Sequence, residues 1–371
     1  MGGFSIKEIR LHRVAVPLRN PFSTHLQTVV ERESIFVELI DADGVIGLGE
    51  CVAFTSPWYT EETVQTCWDA LINWLIPSVL NKTVTHPSEL GEWFAHVKGN
   101  RMAKACLDQA AWDLYARKKN TPLWKLLGGV KSEIDAGVVL TGGVDKELFK
   151  AVQAAQVAGY KRVKLKIDEN TNPLKLKKLV DSFAEMLFFA DGNGIFNRLG
   201  LDALLEFDQV GLSLIEQPFG EDDWDRHVEA SRLMTTPIGL DESIRSVWDA
   251  KQMANSGAGS IIVLKPGRVG GTTESLKVVE VASRHHLPIW IGGMIEFGVS
   301  KAHNLALASL SQLSLPGDFS ATTHFWNEEP VEPPIVIENG GIKLSNRSGI
   351  GVDLNDEVLK KYTIRTYTSK S

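Results

Sequence analysis

Residues 163–167 read VKLKI, Val163 to Ile167, a run that would pass for a buried β-strand were it not for two lysines. Side chains alternate across a strand, so Lys164 and Lys166 face one way while Val163, Leu165 and Ile167 face the other. A lone Lys-x-Lys pair in a strand is usually a solvated edge. Here it opens a series. Counting forward from Lys166, an ionisable residue closes an apolar run every 25 residues, at Asp191, Glu216 and Asp241, and after 24 more at Lys265. One acid at a strand end most often caps the next helix, but five ionisable groups in step need a common cause. A period near 25 is one strand-plus-helix unit.

The runs themselves are AGVVL (136–140), VKLKI, LFFAD (187–191), LSLIEQP (212–218), PIGLDES (237–243), SIIVLKP (260–266), PIWIGG (288–293) and a weaker LSLPGD (313–318), each but the last followed by a helical pattern. Eight such units over about 190 residues fit a closed parallel barrel better than an open sheet. In a barrel the carboxyl ends of all strands converge on one mouth, so groups far apart along the chain meet there. Ahead of the barrel the rhythm differs. Residues 5–16 and 34–52 alternate as antiparallel strands around turns such as DADG (41–44), and RMAKACLDQAAWDLYARKK (101–119) sets Ala103, Cys106, Leu107, Ala110, Ala111 and Leu114 at helical spacing before NTPL (120–123). This gives an α+β unit over 1–125, a barrel over 126–325 and a C-terminal segment over 326–371.

Composition excludes several classes of function. The chain has 371 residues, 43% of them hydrophobic, which is enough to bury a large core, and a net charge of -7 that disfavours nucleic acid or anionic membrane as partner. No apolar run approaches the length of a membrane span and the start lacks the apolar block of a signal peptide, so a cytoplasmic protein is expected. Cys51, Cys67 and Cys106 lack CxxC spacing and read as buried or free thiols.

Three carboxylates on consecutive strand ends repel one another unless a cation sits between them. An all-oxygen set without His or Cys points to magnesium, with manganese as a substitute. Lys166 and Lys265 flank the acids in strand order, where neighbouring charges could tune them as bases. The set suits removal of a proton next to a carboxylate, whose enediolate product needs a metal and ammonium groups to hold its charge.

The motifs KLK (164–166), ADGN (190–193), IEQP (215–218), LDES (240–243), VLKPGRVGG (263–271) and IGGMIEFG (291–298) together resemble the enolase superfamily. Within it they resemble the muconate-lactonizing branch and its group of o-succinylbenzoate synthases and N-acylamino acid racemases. The resemblance spans essentially the whole chain. It implies an α/β protein: a (β/α)7β TIM-like barrel with an N-terminal α+β capping domain completed by the C-terminal tail. It also implies that Asp191, Glu216 and Asp241 bind magnesium, that Lys166 is the base assisted by Lys164, and that Lys265 faces Lys166 across the substrate. Asn193 and Gln217 would support the ligands, and Gly293 and Met294 would line the substrate site. The substrate would be a small carboxylate bearing a succinyl or N-acyl group, and the protein a homo-oligomer.

Two reactions fit this resemblance. One is the syn dehydration of 2-succinyl-6-hydroxy-2,4-cyclohexadiene-1-carboxylate, a step of menaquinone biosynthesis, in which Lys166 removes a proton and returns it to the departing hydroxyl. The other is racemisation of N-succinylamino or other N-acylamino acids, with Lys166 and Lys265 on opposite faces. Arg268, three residues after Lys265, is a fixed cation expected to favour a neutral, basic Lys265, which racemisation needs more. Dipeptide epimerases of this branch carry Asp-x-Asp after the last strand, where this chain has only Asp318, and no histidine stands where the mandelate-racemase branch would need its base. A non-catalytic binding barrel is a different class of reading, disfavoured because no ligand or base is missing.

Around these motifs, Gly192 and Phe196 replace the Ala and Tyr common in the group. The loops RNPFSTHL (19–26) and AFTSPWYT (53–60) are expected to cover the mouth, with Phe22, Trp58 and Tyr59 as apolar and aromatic walls. Glu242 is expected on the face opposite Asp241 by alternation, in a supporting or structural role, and Glu296 in the same role in its loop. His303 and His324 read as packing or surface groups.

Overall fold

The computed structural model describes residues 3–23 and 27–371; the Thr24–Leu26 end of the expected 19–26 loop lies outside the described residues. Strands Phe4–Ser23, Thr28–Asp41 and Ile46–Cys51 form an antiparallel sheet, and the C-terminal strand Thr363–Lys370 adds to its edge with Lys370 opposite Glu8. The first strand is longer than its alternation suggests. Where a loop was expected, Phe22 and Ser23 pair with Val29 and Thr28 and extend the hairpin. The ladder is irregular between Pro17 and Phe22, where Pro17 and Pro21 have no N–H to give it. Helix Arg101–Lys118 lies on this sheet and buries all six residues of its predicted stripe. Gly49 lets the backbones touch, since a Cβ there would meet Cys106 O at 1.9 Å.

Seven parallel strands follow in chain order within one sheet: Gly137–Leu140, Arg162–Lys166, Leu187–Asp191, Leu214–Glu216, Ile238–Leu240, Ile261–Leu264 and Ile289–Ile291. The eighth run, LSLPGD, is no regular strand, because Pro316 cannot donate to a ladder. It still closes the ring, through a bridge of Leu313 to Ile289 and another of Gly317 to Ala136. Gly137 N donates to Gly317 O at 2.8 Å, and Asp318 N to Ile291 O at 2.9 Å.

Alternation then sorts the barrel. Val163, Leu165 and Ile167 pack outward in the large core shared with the helices. Phe189, Leu214, Ile261, Val263 and Trp290 fill a separate core inside the ring. Arg162 carries the inward face of Lys164 and Lys166 one step deeper, a position that a reading begun at Val163 does not reach. Its guanidinium stacks on the rings of Phe189 and Trp290, at 5.1 Å and 4.9 Å from their centroids, and pairs with Asp318 at 2.6 Å. Gly137 on the next strand makes the room, since a Cβ there would lie 2.2 Å from Arg162 Cζ.

Buried carboxylates from the N-terminal sheet and helix cap the helices of the barrel. Glu50 accepts from Phe297 N at 2.9 Å and Ser300 N at 2.8 Å, beside the start of helix Gly298–Ala308. Asp108 does the same for Thr273 N, at 3.0 Å, in helix Thr272–Arg284. His303 sits in this junction, fully buried, with Nε2 2.9 Å from Leu48 O.

Two expectations follow. Asp318→Asn leaves Arg162 and Lys164 short of a counter-charge in a dry barrel, so it should lower the unfolding free energy by about 3–5 kcal/mol; chemical denaturation with an unshifted midpoint would contradict this. Burial also pushes His303 down to about 4. In the unfolded chain it protonates near pH 6.5, so the stability it contributes is complete above pH 6.5 and drains away as pH falls toward 4. The stability difference between wild type and His303→Gln should therefore shrink by about 1–3 kcal/mol between pH 7 and pH 4.5 in paired urea titrations. A constant difference would mean that the imidazole protonates alike in both states.

Candidate active site

Each functional side chain owes its place to a strand end. Lys166 is in register with Asp191, and Asp191 with Glu216. Gly239 pairs with Glu216, which puts Asp241, two residues on, at the same rim. Lys265 follows strand Ile261–Leu264 directly. The five residues picked out by period alone thus stand around one mouth.

Their surroundings differentiate them. Lys164 is buried, with Nζ 2.5 Å from Asp318 Oδ2, 3.1 Å from Glu216 Oε2 and 3.5 Å from Asp191 Oδ2. Burial disfavours its charge, but Asp318, Glu216 and Asp191 outweigh that and hold it well above the ordinary lysine value. These neighbours favour its ammonium form. Lys166 is the accessible one, its side chain 22% exposed against 4% for Lys164, and Nζ lies 2.6 Å from both Asp191 Oδ2 and Asn193 Oδ1. Lys265 donates to Asp241 Oδ2 at 2.8 Å and to the Tyr59 hydroxyl at 2.5 Å.

The acids divide as well. Burial works against ionised Asp191, yet Lys166 and Lys164 bring it below the usual carboxylate range. Asp241 is also lowered, by Arg268 and Lys265 against its burial. Glu216 goes the other way: burial, and then the charge of Asp191, push it well above the usual range. As they stand, the three carboxylates are paired with cations, Lys164 being shared by Asp191 and Glu216 while Lys265 and Arg268 hold Asp241, and no metal-ligating cluster is formed among the described residues.

Two supporting residues have left-handed backbones, Asn193 and Gln217, both at φ 41°, a conformation costly for residues other than glycine. The strain goes into aim. Asn193 bonds Lys166 with its oxygen and Glu242 with its nitrogen, 2.9 Å from Oε1. Gln217 Oε1 accepts from the backbone N–H of Asp241 at 2.9 Å and of Ser243 at 3.2 Å, which holds the turn carrying Asp241.

Glu242 corrects the expected face, not the supporting role. The strand ends at Leu240, so alternation no longer applies, and the side chain turns toward Asn193 instead of the opposite face; burial and Asp241 push its pKa up to about 7. Arg268 is likewise not an isolated cation, for its Nη1 lies 2.8 Å from Asp241 Oδ1, so the same carboxylate answers both it and Lys265. Glu296 accepts from Ser300, Asn304 and Met294 N, near the start of helix Gly298–Ala308.

A cavity of about 560 Å³ opens over this set. Lys164, Lys166, Asp191, Lys265 and Asp318 line its floor, Val138, Leu140, Gly293 and Met294 its side, and Phe22, Phe54, Trp58, Tyr59 and Phe325 its apolar walls. His324 lines it too, which its reading as a packing or surface group did not anticipate. Asn193, Gln217 and Arg268 border an adjoining cavity of about 620 Å³. Sequence reasoning passed over the pairing of Asp318 with Arg162 and Lys164, and took Tyr59 for a wall when its hydroxyl touches Lys265. For Arg162 the signal was there, one step back along the strand; for Asp318 it was an acid alone after the last run.

Residues 6–128 match the family described as mandelate racemase / muconate lactonizing enzyme, N-terminal domain, and residues 147–358 the enolase C-terminal domain-like family. The chain is 41% identical to an o-succinylbenzoate synthase of Bacillus subtilis over 97% of both proteins. It is 35% identical to an N-succinylamino acid racemase of Thermus thermophilus over 99% of this chain and all of that one. A crystal structure of an enolase superfamily member from Listeria innocua, 36% identical, superposes with a TM-score of 0.96 over 99% of each chain. With the strand-end acids and lysines in one mouth, these matches make the chain a member of the enolase superfamily.

Proposed function

We propose that the chain is a magnesium-dependent o-succinylbenzoate synthase, removing water from 2-succinyl-6-hydroxy-2,4-cyclohexadiene-1-carboxylate. The observation that carries this reading is a single cavity floored by an accessible lysine, Lys166, and by a lysine kept charged, Lys164, beneath apolar walls suited to a ring and an acyl chain. The similarity to o-succinylbenzoate synthases at 37–41% identity supports it.

Asp191, Glu216 and Asp241 fit a hard dication. They offer only oxygen, they are fully buried, and Glu216 feels repulsion from Asp191 and Asp241 that Lys164 offsets only in part and that such an ion would relieve. When bound, magnesium supplies charge stabilisation for the enediolate form of the substrate carboxylate. The protein's own groups do the rest. Lys166 takes the proton α to the carboxylate and returns it to the departing hydroxyl on the same face. Lys164 and Lys265 hold positive charge beside the oxygens where negative charge develops. The walls keep water from that charge.

A second reading, N-succinylamino acid racemase, is favoured by one specific observation. Lys265 is a second amine on the cavity floor, held by two oxygens just as Lys166 is. One site then serves both reactions, with Lys265 a charge in the first and an acid or base in the second.

Removing the metal with EDTA should abolish both turnovers, and magnesium should restore them, in spectrophotometric and chiral assays of the purified protein; activity indifferent to EDTA would leave a metal-free barrel. Lys166→Ala should slow both reactions by about a hundred- to ten-thousandfold, the usual contribution of a positioned base. Lys265→Arg keeps a cation but loses a proton donor of suitable pKa, so racemisation should suffer at least about tenfold more than dehydration. Equal losses would remove the division of labour.

A further inference from the structure

We propose that Tyr59 is a positioning residue for Lys265: its hydroxyl, delivered from the N-terminal part of the chain, fixes the amine so that one tetrahedral position on nitrogen is left for substrate. This rests on the reading of Lys265 as an acid/base group.

The phenol oxygen lies 2.5 Å from Lys265 Nζ and 2.9 Å from Arg268 Nη1, and its O–H donates to Asp241 Oδ2 at 3.3 Å. A phenol has two lone pairs and one proton. Lys265 and Arg268 use the lone pairs and Asp241 the proton, so the hydroxyl is fully satisfied and cannot rotate without breaking a bond. The Lys265 ammonium also lies over the Tyr59 ring, 4.7 Å from its centroid. On the nitrogen, three tetrahedral positions remain beyond the bond to Cε. Asp241 and Tyr59 take two of them. The third is where a proton can be given or taken.

Lys166 is built alike, with Asp191 and Asn193 as its two acceptors. Tyr59 is therefore to Lys265 what Asn193 is to Lys166, with one difference of origin. Asn193 sits at the end of a barrel strand, whereas Tyr59 comes from the segment after strand Ile46–Cys51, packed against Trp58 at 5.5 Å and Phe54 at 6.1 Å between ring centroids. A bare apolar wall at position 59 would shape the cavity equally well but leave the amine free to turn. The hydroxyl makes seating of that segment a condition for a correctly aimed Lys265.

The test is α-proton exchange into each enantiomer of an N-succinylamino acid in D2O, followed by NMR on the magnesium-loaded protein. In a two-base site each enantiomer presents its proton to one lysine, and the one served by Lys265 is the one whose exchange is lost in Lys265→Ala. Tyr59→Phe is expected to slow that enantiomer about ten- to a hundredfold, as loss of a hydrogen bond to a charged group should, with the effect in kcat and KM within about twofold. The other enantiomer should exchange within about twofold of wild type and so reports, in the same sample, on folding and binding. Equal slowing of both, no slowing, or an effect confined to KM overturns the assignment alone. Wild-type protein that exchanges neither enantiomer overturns the racemase reading, and the assignment with it.

Discussion

Charge packed where water cannot screen it is the constraint on which the rest of this molecule depends. Asp191, Glu216 and Asp241 are buried within the barrel, as is nearly all of the Asp318 side chain, and so are Arg162, Lys164, Lys265 and Arg268. Unpaired, each would cost several kcal/mol or would change its protonation state. The arrangement that results is a column. Arg162 lies at the bottom on aromatic rings, Asp318 bridges it to Lys164, and Lys164 reaches the acids at the rim. Every step has a counter-charge within ion-pair distance, but at Glu216 the acids outnumber the one lysine beside it, Lys164, and the proton affinity climbs. That excess of negative charge is what the proposed divalent ion would offset.

The column also explains the division among the three lysines, which share a side chain but not a setting. Lys164 is bonded to three carboxylates and cannot give up its proton cheaply, so it serves as fixed charge. Lys166 stands one step nearer solvent with one carboxylate and one amide, and Lys265 with one carboxylate and one phenol. Fewer opposing charges and two fixed acceptors are what a proton carrier needs. Two residues apart on the same face of one strand, Lys164 is ringed by three carboxylates and Lys166 meets one and reaches the cavity.

Much of this was legible because a barrel converts spacing into position. Strand period fixes which residues meet at the mouth, and alternation fixes which of them face inward, so Lys166, Asp191, Glu216, Asp241 and Lys265 could be named from distances along the chain. What escaped depended on contacts that periodicity does not encode. Glu242 was misplaced because alternation ends where the strand does, at Leu240. The part Asp318 plays was hidden because its segment closes the ring by isolated bridges around Pro316, leaving no strand pattern to follow. Arg19–Ser23 looked like a loop because two prolines interrupt the ladder, yet the hairpin resumes beyond them. Tyr59 read as an aromatic wall because composition shows the ring and not where the hydroxyl points.

Three of these misses share a direction. Each concerns how a segment outside the regular strands supports the polar groups at the mouth: Asp318 from the closing segment, Tyr59 from the N-terminal part, Glu242 from a turn. The strands supply reactive groups at the right rim but not their aim, since a lysine on a four-carbon stem has many rotamers and gains specificity only from what holds its nitrogen. Chemistry that differs between a charge and a base by one free position on nitrogen is therefore decided by residues that carry no charge themselves, Asn193 and Tyr59 among them. One barrel can in this way host a one-base dehydration and a two-base racemisation on the same lysines and carboxylates, because the neighbours that orient each amine leave it a free position on nitrogen.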